Sequence, residues 1–235
     1  MCVKMTTRNR LNKERERMSD LDDLRREILY AMLPHVAFDG WTRKALNAGA
    51  RDAGQTPEAA EHAFIRGLNQ VAEFYSADAD AAMCRALEEK GVGELPIRQR
   101  IALAVRTRLE QAAPHREAIR HLMSYLALPG AGLTGARCTL RTVDAMWYAA
   151  GDTSTDFNYY TKRGLLAAVY GATVLYWLND ASDDCEATWA FLDRRIADVM
   201  QVPKFQGQIA KIAERFPSPL RLREAFTARR SRNFT

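Results

Sequence analysis

The chain has 235 residues, enough for one large domain or for a small head fused to a larger one. Apolar residues make up 47% and charged residues 27%, which excludes a disordered polyelectrolyte; the four cysteines (Cys2, Cys84, Cys138, Cys185) are scattered without CxxC spacing, which points to free thiols in a reducing compartment. The net charge of +5 sits at the ends: residues 1–17 hold six Lys or Arg against two Glu and residues 204–235 hold eight against two, so residues 18–203 carry 20 basic against 25 acidic side chains. A nucleic-acid binder places its positive charge on the folded surface, and this chain does not.

Period-3.6 patterning runs through the sequence without a convincing alternating strand, so the expected class is all-α. Leu21, Leu24, Ile28, Leu29, Met32 and Leu33 form an apolar stripe, with Ser19 or Asp20 as the N-cap and Pro34 and Gly40 loosening or ending the helix. A second helix is expected over about 42–53, stopped by Gly54, and a third from the cap Thr56 with Pro57 at its first position. Further helices follow at 78–90, from Pro96 to about 113, from Pro114 to about 128, and, after the breaker Pro129-Gly130-Ala131-Gly132, at 136–150, 155–178 and 183–200. The last opens on Ser182, Asp183, Asp184 and Glu186, a cap with acids at the positive end of the helix dipole.

No apolar run reaches the ~20 residues that span a bilayer. The run from Leu165 to Leu178 is too short, is interrupted by Gly171, and reads as a buried core helix. The N-terminus lacks the apolar region of a secretory signal, and Glu14 and Glu16, with no serine before Ser19, argue against a mitochondrial presequence. Met18 is an alternative start, so residues 1–17 read as a dispensable, disordered basic tail.

Near the C-terminus, Phe205, Ile209, Ile212 and Phe216 recur on one helical face, with Lys204, Lys211 and Arg215 around them. Such a helix suits an anionic membrane surface; docking on the domain core is an equal alternative.

The first three helices have the lengths of a helix-turn-helix head. In DNA-binding versions the third helix enters the major groove. Here it reads Pro57-Glu58-Ala59-Ala60-Glu61-His62, bringing two carboxylates toward a polyanion. Signatures of nucleotide, hydrolase and metalloprotease sites are absent, and His35, His62, His115 and His121 are too scattered for a metal site, so neither enzymatic activity nor a cofactor is expected. Asp180, Asp183 and Asp184 faintly resemble the aspartates that bind prenyl diphosphates through magnesium, but helix capping accounts for them more simply.

The stretch from Trp147 to Arg163 crowds aromatic, acidic and basic residues at a helix junction. Its core, Gly151-Asp152-Thr153-Ser154-Thr155-Asp156-Phe157-Asn158-Tyr159-Tyr160-Thr161-Lys162-Arg163, resembles the signature of the Coq-nine family of ubiquinone-biosynthesis proteins. Phe38-Asp39-Gly40-Trp41-Thr42 and Trp189-Ala190-Phe191-Leu192-Asp193-Arg194-Arg195-Ile196 resemble the same family, and together the similarity spans about 20–202. The resemblance implies a fold like TetR-type regulators without DNA binding, an apolar cavity for ubiquinone intermediates with isoprenoid tails, and support of the di-iron demethoxyubiquinone hydroxylase through a surface patch. Carried over by position, that patch falls on Met146, Trp147, Asp156, Tyr159 and Tyr160. Position 159 departs from the family pattern, which has Trp there; Tyr is still a flat amphipathic anchor but buries less area.

The expected organisation is therefore a basic tail (1–17), a helix-turn-helix-like head (18–77), a helical lipid-binding domain (78–202) and a basic amphipathic segment (203–235). Candidate lipid contacts are Leu122, Met123, Leu126, Val143, Leu166, Val169, Tyr170, Val174 and Trp177, each of which filled core would explain equally well. The expected partners are isoprenoid quinones, the hydroxylase and the membrane surface, with no nucleic acid and with a homodimer left open. In this reading the basic C-terminal helix touches the membrane, the tail slides into the cavity and the quinone head is presented at the Asp156–Tyr160 patch. The setting expected is the bacterial cytoplasm, peripheral on the inner membrane, or the matrix face in a eukaryote. A ligand-responsive regulator and a prenyl-chain enzyme are the alternatives.

Overall fold

The stripe that begins at Leu21 lies on the first helix, α1, which runs Cys2–Asp39. The computed structural model describes the backbone of residues 2–152 and 158–213 and the side chains of 17–152 and 160–199. Helix α1 starts at Cys2 rather than at the Ser19–Asp20 cap, because nothing in the basic segment before Ser19 breaks a helix. Pro34 does not end it either: the ring lies on the exposed face and the helix absorbs the lost donor. Gly40, at φ +70°, turns the chain instead.

Thr42 caps α2 (Arg43–Asp52), its hydroxyl accepting from the Ala45 N–H at 3.3 Å. Thr56 caps α3 (Pro57–Ala63) in the same way through Ala59, at 3.2 Å. Ile28, Leu29, Met32 and Val36 of α1 are fully buried against Ala45, Leu46 and Ala50 of α2. Gly49 sets that crossing: a Cβ there would lie 2.5 Å from the Met32 backbone, so only glycine lets the two helices approach this closely.

Helix α4 (Leu68–Glu89) runs unbroken through position 77, where the head was expected to end; neither Ser76 nor Ala77 is a breaker, and Ser76 is buried. It is both the end of the head and the central pillar of the larger bundle. Trp41 packs edge-on against Tyr75 of α4, 6.4 Å between ring centroids. Arg26 and the Tyr30 hydroxyl of α1 both donate to Asp78, each at 2.9 Å.

The rest of the bundle comprises α5 (Ile97–Ala112), α6 (Arg116–Leu126), α7 (Gly132–Ala149), α8 (Asn158–Leu178) and α9 (Glu186–Ala213). Helices α5 and α7 flank α4, α8 packs on α7, and α9 closes on α8 and α5, while α6 bridges to α1. The Trp189–Ile196 stretch performs that closure. Leu192 and Ile196 enter the core, Phe191 stacks on Tyr176 at 4.6 Å, and Arg106 lies 5.0 Å over the Trp189 ring.

The start of α9 is held by Asp180, which accepts from the Thr188 N–H at 2.8 Å and the Thr188 hydroxyl at 2.5 Å. Hydrogen bonds from Ser182 and Thr188 hold its carboxyl well below the ordinary carboxylate range. Asp180 is therefore the capping aspartate, and Ser182 assists by accepting from the Ala187 N–H. Helix α9 also passes through Pro203, so the C-terminal segment continues the domain's last helix up to Ala213 rather than starting a new element. Every regular element among the described residues is helical, and none of these helices is long and apolar enough to cross a membrane.

Candidate lipid-binding site

A cavity of about 90 Å³ lies in the interior of the bundle between α4, α5, α6, α7 and α8. One wall is apolar: Ile119, Leu122, Met123 and Leu126 from α6 face Leu109 and Ala112 of α5 and Val174 of α8. The polar lining comes from Tyr75 and Ser76 of α4, Arg108 of α5, Thr139 and Thr142 of α7 and Tyr170 of α8. Pockets for small organic ligands usually measure roughly 300–1,000 Å³, so a polyprenyl chain enters only if side chains or helices part. Two glycines lie on its lining. Gly135 lets α7 approach Leu126, and a Cβ on Gly171 would meet nothing within 4 Å.

Five expected lipid contacts, Leu122, Met123, Leu126, Tyr170 and Val174, do line this cavity. The other four do not. Val143 is fully buried, one position and thus about 100° around α7 from the lining residue Thr142. Leu166 and Val169 sit on a different face of α8. They line a second, larger apolar groove of about 330 Å³ with Ile97, Ile101, Trp147, Ile196 and Val199, together with Arg98 and Lys162. Trp177 is core, beneath the Arg116 guanidinium at 4.9 Å from its ring centroid. Helix α8 is apolar nearly all round, so periodicity alone could not tell which of its faces meets the cavity.

Apart from Tyr170, the polar lining was missed, although the sequence carried its signal. Arg108 falls in the α5 stripe Ile101, Ala104, Val105, Leu109, Ala112, where a charge has no place on an ordinary buried face. Asp80 occupies the matching buried position on α4. The two form a buried ion pair, with Arg108 Nε donating to Asp80 Oδ1 at 3.0 Å. The Thr142 hydroxyl lies 2.9 Å from both Asp80 oxygens, and Ser76 Oγ lies 3.4 Å from it. Burial pushes the Asp80 carboxyl up, against the opposing pull of Arg108 and Thr142. Burial acts to lower the Arg108 guanidinium, but Tyr170, Asp80 and Tyr75 outweigh it and hold its pKa above the ordinary value. The hydroxyls of Tyr75 and Tyr170 are both raised, chiefly by burial.

The expected partner patch is only partly a surface. Met146 is fully buried, because α7 turns the 142, 143, 146 and 150 positions into the core, and it cannot touch a partner. Trp147 is half-buried beside the second groove; its indole N–H is enclosed without an acceptor among the described residues, and the Lys162 amine stands 5.6 Å from its ring. Tyr160 is 78% exposed in the first turn of α8. Tyr148, in the last turn of α7, is 79% exposed and was not anticipated. Asp156 and the side chain of Tyr159 lie outside the described residues.

The junction is braced from beneath. Arg100 donates to the carbonyls of Leu95 at 2.6 Å and Ala150 at 2.9 Å, and also to that of Gly93. Lys162 pairs with Asp152 at 3.3 Å, and Arg163 with Asp144. In the head, Glu58, Glu61 and His62 of α3 are exposed, as the acidic reading of that helix required. Of the expected membrane-facing residues, Lys204, Phe205, Ile209, Lys211 and Ile212 lie on the backbone of α9 with side chains outside the described set; Arg215 and Phe216 lie outside it altogether.

The fold resembles the TetR transcriptional regulator from Nitrosomonas europaea, with a TM-score of 0.61 at 20% identity, covering 76% of this chain and 98% of that one. A model of the COQ9 family matches residues 133–203. The mitochondrial ubiquinone biosynthesis protein COQ9 of Homo sapiens is 34% identical over 209 residues, covering 86% of this chain and 65% of the relative. The Rattus norvegicus protein is 34% identical with 67% of its length covered, and COQ9-B of Xenopus laevis 31% identical with 71% covered. The chain thus spans about two thirds of the length of these relatives, and with that identity sustained over most of its own residues it belongs to the COQ9 family of ubiquinone biosynthesis proteins.

Proposed function

We propose that this chain is a non-enzymatic lipid-binding accessory protein of ubiquinone biosynthesis, which takes polyprenylated quinone intermediates into the bundle and hands them to a membrane-associated hydroxylase. The observation that carries this reading is the cavity itself, an incompletely filled interior with a polar wall in a member of the COQ9 family. Close-packed helical domains leave few such voids, and those they leave are rarely edged by a charge.

Handover would take place at the α7–α8 junction, where Tyr148 and Tyr160 stand exposed over a backbone pinned by Arg100. Exposed aromatic anchors on a rigid support are the features from which protein interfaces draw most of their energy. The distal part of α9 would rest on the membrane surface through Phe205, Ile209 and Ile212, holding the protein peripherally. A regulator reading has the TetR-like fold in its favour, but the exposed carboxylates Glu58 and Glu61 on α3 would face the phosphates.

Mass spectrometry of organic extracts from the purified protein tests the central claim. Ubiquinone or prenylated precursors should co-purify, and a clean extract after loading from quinone-containing liposomes would defeat it. Removing residues 204–235 should weaken liposome binding while leaving the helical circular dichroism signal of the domain in place.

A further inference from the structure

Tail burial alone cannot explain why a prenylated quinone would leave a bilayer for this protein. Each buried CH₂ is worth roughly 0.8 kcal/mol in either place, so transfer of the tail between them is close to even. A net preference has to come from the head, and the polar wall supplies one group able to give it. Arg108 spends Nε on Asp80, its one carboxylate partner among the described residues, and the phenols of Tyr75 and Tyr170 stand near it as well. Arg108 itself is 5% exposed and lines the cavity. A buried guanidinium is costly unless acceptors fill the space beside it.

Resting on the lipid-binding reading above, we propose that this wall is a head-group subsite. The Nη fork of Arg108 donates to oxygen atoms of a quinone or phenol ring, Asp80 and Thr142 hold the fork in position, and the prenyl tail runs along Leu122, Met123 and Val174. A planar fork suits two neighbouring ring oxygens, such as a carbonyl beside a methoxy or hydroxyl group. The stored lipid is then held head-inward and must leave this subsite before handover, and the protein selects an oxygenated ring over a bare hydrocarbon.

The test offers the full chain mixed detergent micelles containing equal amounts of a two-isoprene ubiquinone and a headless prenyl hydrocarbon of matched length, then measures by mass spectrometry what gel filtration leaves bound. The wild-type protein should retain the quinone at least tenfold over the hydrocarbon, in line with hydrogen bonds to a charged donor. The double replacement Asp80→Leu with Arg108→Met removes both charges together. It should bring the two lipids to within about threefold of each other while still retaining both. Gly171→Leu, which fills the cavity, should retain neither. If the double variant does not fold, Arg108→Lys carries the test, because it keeps a cation beside Asp80 and removes the planar fork; it should cut the preference about threefold.

A preference unchanged in these variants, or no preference in the wild type, overturns the head-group subsite and leaves the lipid cavity standing. A wild-type protein that retains neither lipid overturns the cavity reading and the subsite with it.

Discussion

The head and the larger bundle solve the same packing problem in opposite ways. Between α1 and α2 the helices touch at backbone level, Gly49 against Met32, and the side chains around them are sealed from solvent. In the bundle, α4, α5, α7 and α8 surround a void and place an ion pair on its edge. The head is filled and finished on its own, whereas the bundle keeps room for something else. The head also braces the bundle, through Arg26 and Tyr30 on Asp78.

The contrast can be broken most sharply at Arg108. Replacing it alone by Met strands the Asp80 carboxylate in the interior and should cost about 3–5 kcal/mol, read by denaturant melts. Asp80 would lose the partner that pulls its pKa down while burial continues to raise it. Its folded pKa would then stand well above the unfolded value, so the variant should be least destabilised near pH 4–5 and progressively worse as pH rises. A pH-independent loss would mean that the charge is not what matters.

The two glycines give the next effect. Gly49→Ala should destabilise by about 1–3 kcal/mol, because the helices must part to admit a methyl group. Gly171→Ala should be neutral or stabilising by up to about 1 kcal/mol, since it meets no neighbour and improves helix propensity. Equal melting temperatures for the two variants would erase the distinction between filled and unfilled interiors.

A smaller change is expected at Asp180→Ala, about 1 kcal/mol from the lost cap of α9. Hydrogen bonds hold that carboxyl below its unfolded value, so the contribution is present at neutral pH and fades as pH falls below about 4; the gap between wild type and variant should close there. The weakest signal should come from duplex DNA at low salt, where the acidic α3 should give no gel shift.

The fold was legible in the sequence because capping residues and apolar stripes are local. Thr42, Thr56 and the 182–188 region act where the pattern placed them, with Asp180 taking the part expected of its neighbours. The expected edges near 77 and 202 fall inside α4 and α9, whose backbone hydrogen-bond ladders run through them. The site was half legible. Helix α6 has a clear amphipathic face, so Leu122 and Met123 fall on the cavity as its stripe suggests; α8 is apolar nearly all round, so Leu166 and Val169 fall on the second groove instead. Arg108 and Asp80 sat in plain view within apolar stripes, but their significance depends on meeting across two helices 28 positions apart, which no single window reveals.

The uninterrupted course of α9 has a mechanical corollary. Its 28 residues form a rod about 42 Å long, stiff on the scale of thermal forces. One end is wedged into the bundle by Leu192 and Ile196, and Ile196 and Val199 wall the open groove beside Trp147. One helix therefore carries both a wall of the groove and the start of the basic segment, so the two share a single covalent element.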